Sequence, residues 1–374
     1  MKVDPSVKRV LIYRLGSLGD TIVALPCFHL IARCFPEAER ILLTNVPLHA
    51  KAPAAESVLG ASGLIHGCIR YDATAWGGLY RKVFEIRRFN PEVVVDLMWI
   101  FRTFNRIRLD THFFRLFSGA SRIVGVPATA EPRRLLLSDG SGLYERESHR
   151  LARLIRELGD AAPDDVANWD LLLTKEEHGR AREILGAFAG KPLIACGPGT
   201  KVEAKDWGQE NWQELIKKLS PRFPEFSLVL VGAKEDHSAS AYVAEGWRGD
   251  TLNLCGRLTP RETAAVLCQT QLFLGPDSGP MHLAAASGVP CAITFSARDY
   301  PGVWYPVGSF HRCVYHAVEC QYCHIDVCVE RKKKCLTSIS VDEMFTAALE
   351  AWRDGQDGMH RSRASAASVT QLRS

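Results

Sequence analysis

The 374-residue chain lacks several features that would place it quickly. No stretch of eighteen uncharged apolar residues occurs, so no membrane-spanning helix is expected. The first residues, MKVDPSVKRVLIYRL, contain no long apolar segment before Arg14 and no small-residue cleavage pattern. A secretory signal is therefore not expected, and a cytoplasmic location is. Charge of one sign is also missing: 46 Lys+Arg against 42 Asp+Glu leaves +4. That excess is too small to argue for nucleic acid as a partner. GxGxxG and GxxxxGK[ST] are both absent, which removes the usual signals for dinucleotides and nucleoside triphosphates. With 47% hydrophobic residues, the chain can build a globular core over roughly two domains.

Cysteine, by contrast, is plentiful at twelve residues. Eight are scattered (Cys27, Cys34, Cys68, Cys196, Cys255, Cys268, Cys291, Cys313), mostly in apolar surroundings, and read as small core hydrophobes. The other four, Cys320-x2-Cys323-x4-Cys328-x6-Cys335, fall in one loop with His316, His324 and Lys332 to Lys334. A structural zinc or iron site, plain thiols and disulfides all remain open for this group.

Short branched strands alternate with helical patterns twice along the chain. Expected strands in the first half are Lys8–Leu15, Glu39–Asn45 and Pro91–Leu97, with one helix running on from Asp20. The second half restarts with a strand into a Gly/Pro turn at Lys191–Thr200 and a helix at Asn211–Leu219. Strands at Phe226–Ala233, Thr251–Leu254, Gln271–Gly275 and Val289–Phe295 follow. This predicts two α/β halves: residues 1–160, residues 161–354 with a Cys-rich loop at 316–336, and a disordered polar tail at 355–374. Ligands bind at the carboxyl ends of strands in such sheets, which is where the glycine turns fall.

Three turns carry the chemistry. RLGSLGD places Gly16, Ser17 and Gly19 before Asp20, readable as a ligand turn or as a helix cap. GPGTKVEAKDW offers backbone amides, Thr200, Lys201 and Lys205, which suit a phosphate loop or a solvated one. GPDSGPMHLAAASGVP places Asp277 and Ser278 before a small-residue helix opening at Gly279-Pro280, with His282 one turn in. A helix start of this kind attracts anions. An Arg/Phe-rich stretch between Arg102 and Arg134 suits an acidic partner or a solvated face.

On these motifs, together with NWQEL and LVLVGAKED, the chain resembles the glycosyltransferase family 9 heptosyltransferases of the lipopolysaccharide inner core. The resemblance runs from about Arg9 to about Ala348. It implies a GT-B fold: two facing Rossmann-like domains with an interdomain cleft. It implies an inverting glycosyltransferase moving heptose from ADP-heptose to a lipopolysaccharide core acceptor. Asp20 is then the catalytic base and Gly16, Ser17 and Gly19 its acceptor-side loop. Thr200, Lys201, Lys205, Asp277, Ser278, Gly279 and His282 become donor and phosphate contacts. Glu235 is the acid near the nucleoside and Leu258 the apolar residue beside the base. No cofactor is implied for catalysis. The implied partners are a nucleotide-sugar donor, an acidic glycolipid acceptor and the cytoplasmic face of the inner membrane, with no nucleic acid. Competing expectations are the same fold with another nucleotide sugar or a protein acceptor, and a non-catalytic Cys-cluster binding module.

Overall fold

The structure is a computed structural model. It describes residues 3–46, 53–75, 77–98, 102–126, 134–138 and 140–371, with backbone alone from 357 onward. The part of the Arg/Phe-rich stretch at 127–133 lies outside the described residues.

The chain divides into two compact units, 1–174 with 302–304, and 175–301 with 305–374. In the first unit come β1 (Arg9–Tyr13), α1 (Leu18–Ile22), α2 (Leu25–Cys34), β2 (Glu39–Asn45), α3 (Glu56–Leu59) and β3 (Gly67–Tyr71). Then follow α4 (Val83–Phe89), β4 (Val93–Asp96), α5 (Phe104–Phe117), β5 (Arg122–Val124) and α6 (Glu147–Leu154). The sheet order is β3-β2-β1-β4-β5, and each pairing is parallel. Leu11, Leu43, Val94, Phe113 and Phe114 form part of its core. The single helix expected from Asp20 is two helices, because Pro26 opens the second and removes an amide from the ladder.

In the second unit come α7 (Lys175–Leu185), β6 (Leu193–Cys196), α8 (Gln209–Leu219), β7 (Ser227–Leu230), α9 (His237–Ala244) and β8 (Thr251–Asn253). Next are α10 (Pro260–Leu267), β9 (Leu272–Pro276), α11 (Gly279–Ala286), β10 (Cys291–Phe295), β11 (Arg312–Tyr315), α12 (Lys334–Thr337) and α13 (Val341–Gln371). The sheet order is β11-β10-β9-β6-β7-β8, again with parallel pairings. Trp212, Leu215, Ile216 and Leu219 of α8 are fully buried against it. Each such aliphatic side chain stabilises the unit by about 1.5–3 kcal/mol.

Three outcomes differ from expectation. The first unit extends to residue 174 rather than 160. Its last segment is tied back to α2 by Arg33 Nη1 donating to Asn168 Oδ1 at 2.7 Å and by His29 at 2.8 Å from the Asp170 carbonyl. The tail at 355–371 continues α13 as helix instead of forming a disordered segment. Among the scattered cysteines, Cys268 is exposed and Cys68 and Cys313 are half-buried. The remaining five are buried, and burial pushes the Cys27 thiol up to about 12.

Candidate functional site

The loops at the carboxyl ends of β6, β9 and β10 meet at Lys205. β6 and β9 are neighbours in the sheet, as are β9 and β10. Lys205 ends a short 3-10 turn, Glu203–Lys205. Its Nζ lies 2.5 Å from Asp277 Oδ2, just past β9, and 3.1 Å from Asp299 Oδ2, past β10. Burial works against the lysine's charge, but the two carboxylates outweigh it and raise its pKa. Burial likewise opposes ionised Asp299, while Lys205 and Arg298 hold its pKa below the ordinary value. Arg298 Nη1 sits 3.1 Å from the same carboxylate. An ammonium carries three N–H donors, and these two carboxylates use two of them.

Beside this junction, α11 begins. Ser278 is its N-cap in extended conformation, yet its side chain makes no cap bond. The Ser278 hydroxyl oxygen is buried and has no hydrogen-bond partner among the described residues. Unsatisfied buried hydroxyls are rare, and this one lies where the helix presents its first free amides. His282 is buried one turn in, with Nε2 3.7 Å from Asp277 Oδ1. Asp277, Ser278, Gly279, His282 and Lys205 are thus brought together as the motifs suggested.

The other expected donor residues behave differently. The Thr200 hydroxyl accepts from the Val202 amide at 3.3 Å, a local turn bond, and Lys201 is exposed. Leu258 is half-buried. Glu235 is exposed, while its neighbour Asp236 folds inward and accepts from the Ala233 amide at 2.8 Å. A Cβ on Gly199 would meet the Asp236 carboxylate carbon at 2.3 Å. Only glycine lets that carboxylate approach the backbone of this loop. Asp236, Arg298 and Asp299 were not read from the sequence. The last two follow β10 directly, so the carboxyl-end rule points to them once that strand's end is known.

In the first unit, Asp20 occupies the third position of α1, not the cap itself. Its Oδ2 accepts from the Ser17 amide at 2.7 Å and the Ser17 hydroxyl at 3.1 Å. Gly16 has φ +136°, and a Cβ there would meet the Asp20 Cβ at 2.2 Å. The Gly16 amide donates to Asn45 Oδ1 at 2.8 Å, joining the turns after β1 and β2. Behind this turn, buried Arg14 donates through Nη2 to the Asp20 carbonyl at 3.0 Å. Arg14 Nη1 lies 3.4 Å from Glu147, which Arg150 also grips at 2.7 Å. Asp20 is therefore held at both its carboxylate and its backbone.

Residues 146–334, just over half of the chain, match the sequence profile of Glycosyltransferase family 9 (heptosyltransferase). The chain belongs to that family. It is 30% identical over 120 residues to Lipopolysaccharide heptosyltransferase 3 of Escherichia coli, a match covering 32% of this chain and 35% of that one. The chain thus spans about a third of that relative's length. Among solved structures it is similar to the glycosyl transferase family 9 protein of Veillonella parvula, at TM-score 0.68 and 17% identity. That match covers 95% of this chain and 99% of the other. It is also similar to the ADP-heptose lps heptosyltransferase II of E. coli, at TM-score 0.65 and 15% identity, covering 93% and 99%. The fold class is therefore the α/β GT-B class of these heptosyltransferase structures. Among the described residues no helix is long and apolar enough to cross a membrane.

Proposed function

We propose that this family 9 chain is an inverting glycosyltransferase that moves heptose from ADP-heptose to an acidic lipopolysaccharide core acceptor. The observation that carries the donor side is the junction of Lys205, Asp277 and Asp299 beside the start of α11, with the Ser278 hydroxyl buried and unpartnered. Free helix amides, a hydroxyl and one remaining ammonium proton form a donor set for a diphosphate. Lys205 and Arg298 together balance Asp277 and Asp299, so positive charge is concentrated in directed N–H groups rather than in a net excess.

In this reading the Asp20 carboxylate takes the proton of an acceptor hydroxyl. The freed oxygen attacks the anomeric carbon from the face opposite the diphosphate. The bond from that carbon to the diphosphate oxygen breaks, and ADP leaves with its new charge met by the α11 start and Lys205. Arg14 and Ser17 keep Asp20 in place through the turn.

On the acceptor side, Leu109 and Leu116 stand seven residues apart on α5 and are exposed, as is Phe84 of α4. Arg108 and Arg115 share that α5 spacing, and Arg87 and Arg88 lie in the last turn of α4. An apolar surface bearing arginines suits an anionic lipid leaflet, which is where an acidic glycolipid acceptor resides.

The test is transfer from ADP-heptose to a heptose-deficient core acceptor, with the product's anomeric configuration read by NMR. Inversion with wild-type chain and loss of turnover in Asp20→Asn, with ADP binding retained, are expected. Full turnover by Asp20→Asn would refute the base, and retained configuration would refute inversion. Lack of any ADP binding by the wild-type chain would refute the donor.

A further inference from the structure

We propose that Cys320, Cys323, Cys328 and Cys335 hold one thiophilic metal ion, and that this ion braces the loops carrying Lys205 and Asp299. All four thiols line a single cavity of about 40 Å³ in the second unit. They are free, and each is half-buried or exposed.

The segment has no apolar core of its own to hold its shape. Between β11 and α12 it contains no helix or strand, and none of residues 316–335 is buried. An ordered loop of this length without a core is unusual in a compact domain. Its backbone is nonetheless forced: Tyr322, His324, Lys332 and Lys333 have φ of 65°, 53°, 46° and 52°. Such conformations are unfavourable for residues with a Cβ and persist only where the surroundings impose them. Tyr322 lies inside the Cys320-x2-Cys323 pair and His324 follows it. This winding brings both thiols to one cavity. The second pair of twisted residues turns the Lys333 amide toward Cys328 Sγ at 3.4 Å. Amides directed at sulfur stabilise thiolate ligands.

Arg298, Arg331, Lys333 and Lys334 line the same cavity. They are paired with carboxylates, yet their charge also lowers the cost of gathering thiolates. Among the described residues no three ligating side chains are already drawn together around an ion position. Loading the site therefore requires the four thiols to draw together within the cavity they line. Four thiolates around a point form a tetrahedral sulfur set, which selects zinc or iron.

The brace follows from the loop's hydrogen bonds. The Cys328 amide donates to Glu203 Oε2 at 2.9 Å, and the Ala204 amide to the Asp326 carbonyl at 3.0 Å. Both fall on the turn that ends at Lys205. The Tyr322 amide donates to the Ala297 carbonyl at 2.7 Å, and the His324 amide to that of Arg298 at 3.1 Å. Arg298 returns a bond from Nε to the Ile325 carbonyl at 2.7 Å. A loop made rigid by a metal would therefore fix the relative placement of Lys205 and Asp299. This second half rests on the donor-site reading above; the metal site does not.

The full-length chain is purified without chelator and its metal content measured by mass spectrometry of the elements. One zinc or iron per chain is expected, falling to background in Cys320→Ser and Cys335→Ser and unchanged in Cys268→Ser. Because the variants could misfold, the wild-type chain is also stripped under reducing conditions and titrated with Co²⁺. The intense visible bands of a tetrahedral tetrathiolate site, saturating at one equivalent, are expected. ADP affinity should fall about tenfold on stripping and return with Zn²⁺. No metal in the purified chain together with no Co²⁺ bands, or disulfides among the four cysteines, would overturn the site. Stoichiometric metal with unchanged ADP affinity on stripping would overturn the brace. Loss of ADP binding in both metal-loaded and stripped chain would count against the donor reading while leaving the site intact.

Discussion

Replacing Asp96 with asparagine should remove a pH dependence of stability from the first unit. Asp96 ends β4, is 1% exposed, and has one carboxylate oxygen with no hydrogen-bond partner among the described residues. Burial, then the nearby Asp110 carboxylate, push its pKa from 3.8 up to about 8, against the pull of Arg102, Arg14 and Arg150. In the unfolded chain the carboxyl ionises near its ordinary value. Between about pH 4 and pH 8 the folded chain thus keeps a proton that the unfolded chain has released. Stability falls as pH rises through that window, by about 1.4 kcal/mol per unit at most. Below it the contribution is full, and above about 8 the loss is complete. A rise from 3.8 to about 8 corresponds to about 6 kcal/mol as an upper bound. Partial relaxation around the charge brings the expected gain for Asp96→Asn above pH 8 to roughly 3 kcal/mol. Hydrogen exchange of the β1 and β4 amides, corrected for intrinsic rates, measures this across pH 5 to 9. Parallel pH slopes for wild type and variant would refute the reasoning, as would a variant less stable at pH 8.5.

Other outcomes follow from the same geometry. Lys205→Met removes the ammonium that Asp277 and Asp299 share and leaves Asp299 with Arg298, and chemical denaturation should show a loss of about 3–5 kcal/mol, largely recovered in Lys205→Met/Asp277→Asn. Ser278→Ala should leave stability within about 1 kcal/mol, since it deletes an unsatisfied hydroxyl, while calorimetry should show ADP binding weakened about tenfold. Glu147→Ala strands Arg14 and Arg150 in the interior and should cost about 3–5 kcal/mol, with turnover falling as the Asp20 turn loosens. Gly16→Ala combines a left-handed φ with a clash against Asp20, so turnover should fall more than ADP affinity.

The strands at Glu39–Asn45 and within Lys8–Leu15 were legible because a buried parallel strand is a short branched run between breakers. β3 and β5 were not: GCIRY and RIV are too short and too polar at one position to stand out. The Asp277–Gly279 turn was legible because glycine, proline and a small-residue helix leave a local signature. Glu235 and Asp236 show the opposite case. Adjacent acids are equivalent in a motif, and only the turn geometry chose Asp236 to fold inward.

The order of residues alone established two α/β repeats, three glycine turns at strand ends and a resemblance to a glycosyltransferase family. These depend on contacts within about thirty residues, where hydrophobic period, glycine and proline act locally. The tertiary structure decided what Lys205 does. It decided that Arg298 and Asp299 join Lys205 and Asp277, and that four cysteines spread over sixteen residues share one cavity against the same loops. Those placements come from the β9-β6 and β9-β10 pairings of a parallel sheet. Such pairings bring together side chains that are 72 and 94 residues apart, as Lys205 is from Asp277 and Asp299, at distances that no local pattern encodes.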